Sequence, residues 1–593
     1  MSIDRPIAGC PRGTDSSLLA RSDRRPPALV ASLLVVLALL ASCAPGPAAR
    51  PSEGGPATVA APKTLRMAIL DVTPASLTSY GGSGTGGTAL EHYFIFHAGL
   101  TRYDLGGNVI THIAEKVPTL DDGDWKILPT GGMEVTWKLR SDVFWHDGTP
   151  LSAEDFAFGF QVVTDPILAA PSRGEVPSIA DVRAPDPRTL VVLWKNQSIF
   201  GNNNAFDGVP AVPRHLFREL YLAGDAAAFE NSFLWSTHWV GLGPYRVGDF
   251  AVGSHIEATA FDRYFLGRPK IDRLVIFYKG DANAMVAGVL AGEIDVIPNG
   301  GSIDVPQMAA VRERWGTEGG LTLANPKGVR TLYLQMRDPA NPWARDLRIR
   351  QALLHALDRE GIIEALVFGL VGRGDFYLTP EDPAYALAEQ RRLPRYPYDP
   401  ALAERLFADA GFTRGADRML RNTAGQPLWI DVVSSSGGAN IQEATAVAGQ
   451  WAAAGAQSKP TPYSSSVDAR EAKHDMQGAV VWPWNFSILV PRNLISAETG
   501  TAANRWRGSN WGGYVNPAYE GLYTELTDTF DAAKRTETMF QITKIMAEDL
   551  PVLPLFYHPD ISIARKGVEG PAIVAPVQRA SSWNIHTWEI KDR

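Results

Sequence analysis

The residue best placed for covalent chemistry lies near the start of the chain. Cys43 closes the order Leu40-Ala41-Ser42-Cys43. The run before it, Ala28 to Leu40, is apolar apart from Ser32, and Arg21, Arg24 and Arg25 precede it. A basic segment, an apolar core and small residues at the cut describe a secretory signal. The run is too short to span a bilayer, which needs about 20 apolar residues. The second cysteine, Cys10, lies in the part that would be removed. Elsewhere, chemistry-bearing types do not gather. There is no H-E-x-x-H, no G-x-S-x-G and no clustered Cys/His, and the eleven His are scattered. That argues against an exported hydrolase, a metal site or haem. Scattered acids always permit a paired-carboxylate mechanism, but nothing singles out a pair. The loop Tyr80–Gly87 is glycine-rich, yet no Gly-Lys-Ser/Thr follows it, so it is not a phosphate-binding loop.

A cysteine directly after Leu-Ala-Ser resembles the bacterial lipobox, in which the thiol is acylated and the chain is cut just before it. The expectation is an extracytoplasmic or periplasmic protein of the cell envelope, held to a membrane by lipid on Cys43. Each buried methylene of such an anchor contributes about 0.8 kcal/mol. Ala44 follows the cysteine where an aspartate would favour inner-membrane retention, so the choice of membrane stays open. Residues 44–63 are rich in Pro, Gly and Ala without periodicity and read as a flexible stalk. The rest is long enough for several lobes. Net charge is −8, so a basic nucleic-acid footprint is absent. Sixteen Trp, 17 Tyr and 23 Phe are enough for some to line a binding surface as well as a core.

The elements that would position such a surface alternate. Leu65 to Leu70, Val135 to Leu139 and Thr189 to Trp194 read as strands. Leu90 to Leu100 reads as a helix. His146 to Pro150 is a turn by composition, and Ser152-Ala153-Glu154-Asp155 is a capping-box variant that opens a helix. Further on, Ala282 to Ala291, Arg348 to Ala365, Asp399 to Ala410 and Gln442 to Ala454 read as helices. Strands start near Leu332 and at Trp429 to Val433. No internal repeat is visible. Strands and helices in this order predict an α/β fold with mixed sheets.

Five blocks, in order, resemble the extracytoplasmic solute-binding proteins of family 5, the oligopeptide/dipeptide class of ABC importers. They are Trp137 to Arg140 running through Val143 to Pro150 into Ser152–Asp155; Val240 to Tyr245, with Leu242 where the family has Thr; Leu290 to Asp295; Asp346 to Ala352 with Ala356 to Arg359; and Tyr398 to Pro400 with Asp409 to Gly411. Most of these residues are turns and caps, and none is expected to touch the solute. The resemblance implies a type II periplasmic-binding-protein-like fold, with two main lobes, a hinge and an extra inserted lobe. Its expected division is 1–42 signal, 43–63 lipidated Cys and stalk, 64–102, 238–325 and 554–593 lobe I, 103–237 inserted lobe II, and 326–553 lobe III.

The resemblance also places three segments at the cleft between lobes I and III. The first is Tyr80–Gly87, with Tyr80, Gly81 and Ser83. The second follows a strand and contains Ser434, Ser435 and Ser436, whose hydroxyls and amides suit a peptide main chain. The third contains Trp482, Trp484 and Asn485. Peptide binders often carry Trp-x-x-Asp there, the aspartate receiving the α-ammonium; here Asn485 supplies a neutral donor and acceptor. Trp511 and Trp506 are further candidate platforms. The implied function is a non-enzymatic, cofactor-free, monomeric receptor that closes on a small solute, foremost a peptide, and delivers it to the ABC permease subunits. An oligosaccharide or other neutral solute is the alternative, and a ligand sensor shares the fold.

Overall fold

The computed structural model describes residues 61–591 except 71–76, 78–86, 106, 169–174, 207, 300–302, 317–318, 437, 464–467, 489, 505, 507 and 573–579. Its centre is a mixed sheet of ten strands. In a first wing, Thr64–Leu70 pairs in parallel with Arg273–Lys279 and with Val296–Ile297, and His255–Ala260 and Tyr245–Ala251 add antiparallel strands at the edge. In a second wing, Asp431–Ser435 is parallel to both Pro460–Tyr463 and Gly478–Asn485. Two long antiparallel strands, Gly320–Leu334 and Val552–Arg565, run through both wings and join them. Their pairing shifts register between Pro326 and Gly328 and again between Val329 and Thr331. Such bulges locally bend and twist a strand pair.

The expected boundaries at 325/326 and 553/554 fall inside these two strands. The wings therefore share one sheet. The Asn325-Pro326-Lys327-Gly328 interruption hides this continuity in the sequence, since Pro and Gly normally mark a strand end. A separate antiparallel sheet, Trp125–Ile127, Met133–Lys138, Thr189–Trp194 and Ile179–Asp186 in spatial order, lies between the first strand and the edge of the first wing in the chain.

The five blocks staple this fold. Ser152 caps the helix Ala153–Thr164: its Oγ accepts from the Glu154 N–H at 3.1 Å, while Asp155 accepts from the Ser152 N–H at 3.0 Å. His146 accepts from the Gly241 N–H at 3.1 Å through Nδ1 and donates from Nε2 to the Gly243 carbonyl at 2.9 Å, which ties the first block to the second. A Cβ on Gly241 would sit 1.8 Å from the Phe96 carbonyl oxygen, so that turn can pass the helix Gly87–Phe96 only as glycine. Asp295, just before the strand Val296–Ile297, accepts from the Arg66 backbone and side chain, each at 2.8 Å, and from Arg565, tying the strands Thr64–Leu70 and Val552–Arg565 together. Arg359, 2% exposed, donates to the carbonyls of Gly374, Pro554 and Tyr396 and to Asp375.

Two local expectations are corrected. Arg348 to Ala365 is two helices, Leu347–His355 and Arg359–Val367. Asp358 breaks them apart by accepting from the Gly361 N–H at 2.9 Å, which starts the second helix anew. The strand expected at Trp429 to Val433 spans Asp431–Ser435, so Ser434 and Ser435 belong to the strand and not to a turn beyond it.

Candidate functional site: an interwing crevice and an aromatic chamber

The direction of the strands places the site. Thr64–Leu70, Val296–Ile297, Asp431–Ser435 and Gly478–Asn485 each run toward the crossing of the two long strands near Gly328 and His558. Their carboxyl ends therefore face one another from opposite wings. In open α/β sheets, ligands bind outside the carboxyl ends of strands, where backbone groups and helix starts remain available.

The crevice so formed is polar. Its floor carries Lys327, whose Nζ donates to Asp560 at 2.9 Å. On the second wing, Arg330 donates to Glu443 and to the Asn440 amide oxygen, both at 2.6 Å, and Asn440 donates in turn to Ser435 Oγ at 2.7 Å. Arg330 and Glu443 are 5% and 2% exposed, and Glu443 Oε1 has no hydrogen-bond partner among the described residues. Asp304, at the start of the helix Val305–Trp315, lies within electrostatic reach of Arg330 and Lys327. Burial, and then the charges of Lys327 and Arg330, hold the His558 imidazole well below its ordinary pKa.

On the first wing, Glu91 is fully buried in the helix Gly87–Phe96. Its carboxylate accepts from the backbone N–H of Ser581 at 2.9 Å and of Ser582 at 3.0 Å, and Asn299 accepts from the same Ser581 N–H at 2.6 Å. Burial pushes the Glu91 carboxyl up to about 7, against the pull of these serine donors.

The sequence candidates distribute unevenly over this site. Tyr80, Gly81, Ser83 and Cys43 lie outside the described residues, although the first three fall between the strand Thr64–Leu70 and the helix Gly87–Phe96. Ser434 is fully buried, with no partner for its Oγ among the described residues; Ser435 is held by Asn440, and Ser436 is exposed. Asn485 is exposed at the last position of its strand, opposite Gly328.

Trp484 is a correction. It is buried against Tyr333 and Tyr377, with its indole N–H donating to the Tyr333 hydroxyl, and is a core residue. Period-two alternation puts Trp482 on the same face, where it meets Trp511 edge-on at 5.0 Å. Lys473 Nζ sits over both rings, at 4.0 Å from Trp482 and 4.6 Å from Trp511. The expected platforms are thus covered by a protein cation.

The sequence did not single out a second space. A cavity of about 730 Å³ lies beside the crevice, walled by Trp125, Trp137, Trp194, Phe200 and Phe206 of the inserted segment. Leu90 and Phe94, from the helix that carries Glu91, close one side; Ser487 and Ile488, just past Asn485, close another. A smaller cavity of about 380 Å³ shares Gly107, Ser487, Ile488 and Arg535 with it and is otherwise lined by apolar side chains interspersed with Thr379, Asp382, Thr536 and Thr543. The aromatic count is the only trace of this chamber in the sequence.

Comparison with known proteins decides the class. The family described as bacterial extracellular solute-binding proteins, family 5 middle, matches residues 116–504. The chain belongs to this family. It is 25% identical over 567 residues to the oligopeptide-binding protein AppA of Bacillus subtilis, covering 92% of this chain and 96% of that one. It is 24% identical over 496 residues to the dipeptide-binding protein of Escherichia coli K12, covering 80% and 86%. Its fold matches the crystal structure of NikZ from Campylobacter jejuni in complex with Ni(L-His), with a TM-score of 0.69 and 20% identity over 89% of this chain and 99% of that one. The family 5 protein described here is thus an extracytoplasmic solute-binding protein with the expected α/β binding-protein fold. Among its described residues, no helix is long and apolar enough to cross a membrane, and no group of three His, Cys, Asp or Glu is placed to hold a metal ion.

Proposed function

We propose that this protein is the peptide receptor of an ABC importer, and that the peptide main chain lies in the interwing crevice. One observation carries the reading: parallel strands from both wings end at one polar crevice, and among the described residues two strands join the wings. The full-length likeness to an oligopeptide-binding protein supports the ligand class. Ser435, Ser436 and Asn485 offer neutral donors and acceptors at the strand ends, which suit peptide amides. The register shifts at Pro326/Gly328 and Val329/Thr331 supply the hinge about which the wings close, and closed, loaded protein docks on the permease. On this reading the lobes divide as the sequence suggests, with the lobe I/III boundaries at 325/326 and 553/554 inside the two long strands.

Exposed Asn485, in place of an acid, favours a second reading, a neutral solute such as an oligosaccharide. A thermal-shift screen separates the two. A rise in melting temperature with peptides alone supports the first reading, and a rise with sugars alone replaces it with the second. The protein works as a monomer, binds without catalysing a reaction, and is anchored by lipid on Cys43. Cys43→Ala then releases it from membranes or leaves it unprocessed; unaltered membrane retention would remove the anchor.

A further inference from the structure

We infer that the aromatic chamber beside the crevice is a ligand pocket, taking a bulky aromatic or apolar side chain of the peptide together with a neighbouring amide group. This rests on the peptide reading above and adds the side-chain class to it. The walls favour apolar contact: eight aromatic residues, Phe94, Tyr103 and Phe530 among them, line about 730 Å³ together with Ile488, more than a single side chain fills. Pockets of this size and character typically enclose a small ligand and orient it with a few placed polar groups.

Three such atoms are present, one of them Asn203 Oδ1, which has no partner among the described residues. Trp194 is 6% exposed and its indole N–H has no partner among the described residues; Asn204 is 5% exposed and its amide oxygen has none either. Both residues line the chamber. Buried polar atoms in folded proteins are nearly always paired, so a free donor and a free acceptor at one cavity point to a missing partner that carries both. A peptide unit is such a partner: its carbonyl accepts from Trp194 and its N–H donates to Asn204.

The chamber is poorly suited to an acidic group, since Asp121 and Glu175 also line it. Arg535, its lining guanidinium, is already engaged by the carbonyls of Thr529 at 3.1 Å and Phe530 at 2.6 Å. The walls come from the inserted segment, from Leu90 and Phe94, and from Ser487, Ile488 and Phe530, so a side chain seated there links the inserted segment to both wings as the peptide binds.

The test is isothermal titration of the protein with pentaalanine and with pentapeptides carrying one Phe at each position in turn. The expected result is a tightening of about tenfold or more with Phe at one position, as for burial of a large apolar side chain. Ile488→Trp, which narrows the chamber, reduces that preference. Trp194→Phe keeps a ring but removes the donor, and weakens the favoured Phe peptide several-fold. If pentaalanine binds as tightly as every Phe peptide, the chamber is not a ligand pocket, while the peptide reading stands. A Phe preference unchanged in both variants places the side chain elsewhere and overturns the inference too. If none of the peptides binds, the peptide reading falls and this inference falls with it.

Discussion

The crevice and the chamber are neighbours built on opposite principles. In the crevice most polar groups have found a protein partner: Arg330 holds Glu443 and Asn440, Lys327 holds Asp560, and Glu91 holds Ser581 and Ser582. In the chamber the polar atoms of Trp194 and Asn204 are left open among aromatic walls. The first arrangement fixes the geometry of the wings before a ligand arrives. The second leaves hydrogen bonds and apolar contacts to be completed by whatever enters. Rigid support is thus carried by the paired charges of Arg330, Lys327 and Glu91, while recognition falls to groups left open, at Asn485 and in the chamber.

Substitutions in the two regions should therefore read out differently. The largest effect falls on the crevice. Arg330→Met leaves Glu443 buried without its cation and should cost about 3–5 kcal/mol in chemical denaturation. A loss under about 1 kcal/mol would mean that Glu443 is wet or protonated already. Glu91 gives a pH signature of similar size. Its folded pKa, about 7, is raised above its ordinary 4.5. The stability it contributes is full below pH 4.5 and is lost as pH rises through 7. Wild type should lose about 3 kcal/mol over that window relative to Glu91→Gln. Parallel pH profiles for the two proteins would show that the carboxyl titrates normally.

Smaller effects sharpen the contrast. Trp194→Phe should cost the unliganded protein only the packing of the lost ring, about 1–2 kcal/mol, with nothing added for the deleted N–H, which has no protein partner among the described residues. A larger destabilisation there would mean that the donor is already engaged in the free protein. Asn485→Ala should weaken peptide binding by about 1 kcal/mol, since a bound amide loses its partner, and should leave the melting temperature of the free protein alone because Asn485 is exposed. No change in affinity moves Asn485 out of the site.

The frame of this molecule was legible in its sequence through the five blocks. A capping serine acts within a few residues, so its spacing survives in the chain; Gly241, pressed on the Phe96 carbonyl, and Arg359, which bonds a carbonyl 195 residues away, were legible only as pieces of the family pattern. The site was legible only in outline. Ser435 and Asn485 were reachable because they follow strands that spacing can reveal. Arg330 and Glu443 are 113 residues apart, and no periodicity links them. The tryptophans misled for a physical reason. Trp482 and Trp484 share a strand face, and composition cannot tell a ring facing a ligand from one packed on Tyr333 or covered by Lys473. The chamber rings, at Trp125, Trp194 and Phe530, come from three parts of the chain and meet only when the inserted sheet folds against the second wing.

The most direct test is native mass spectrometry of the protein purified without added ligand. A solute receptor closed on a peptide should carry co-purified peptides as a set of added masses, released by partial unfolding and enriched in aromatic or large apolar residues. Masses that correspond to sugars or another neutral solute, with no peptide among them and none taken up on titration, would contradict the account and leave the crevice as the site of a different ligand.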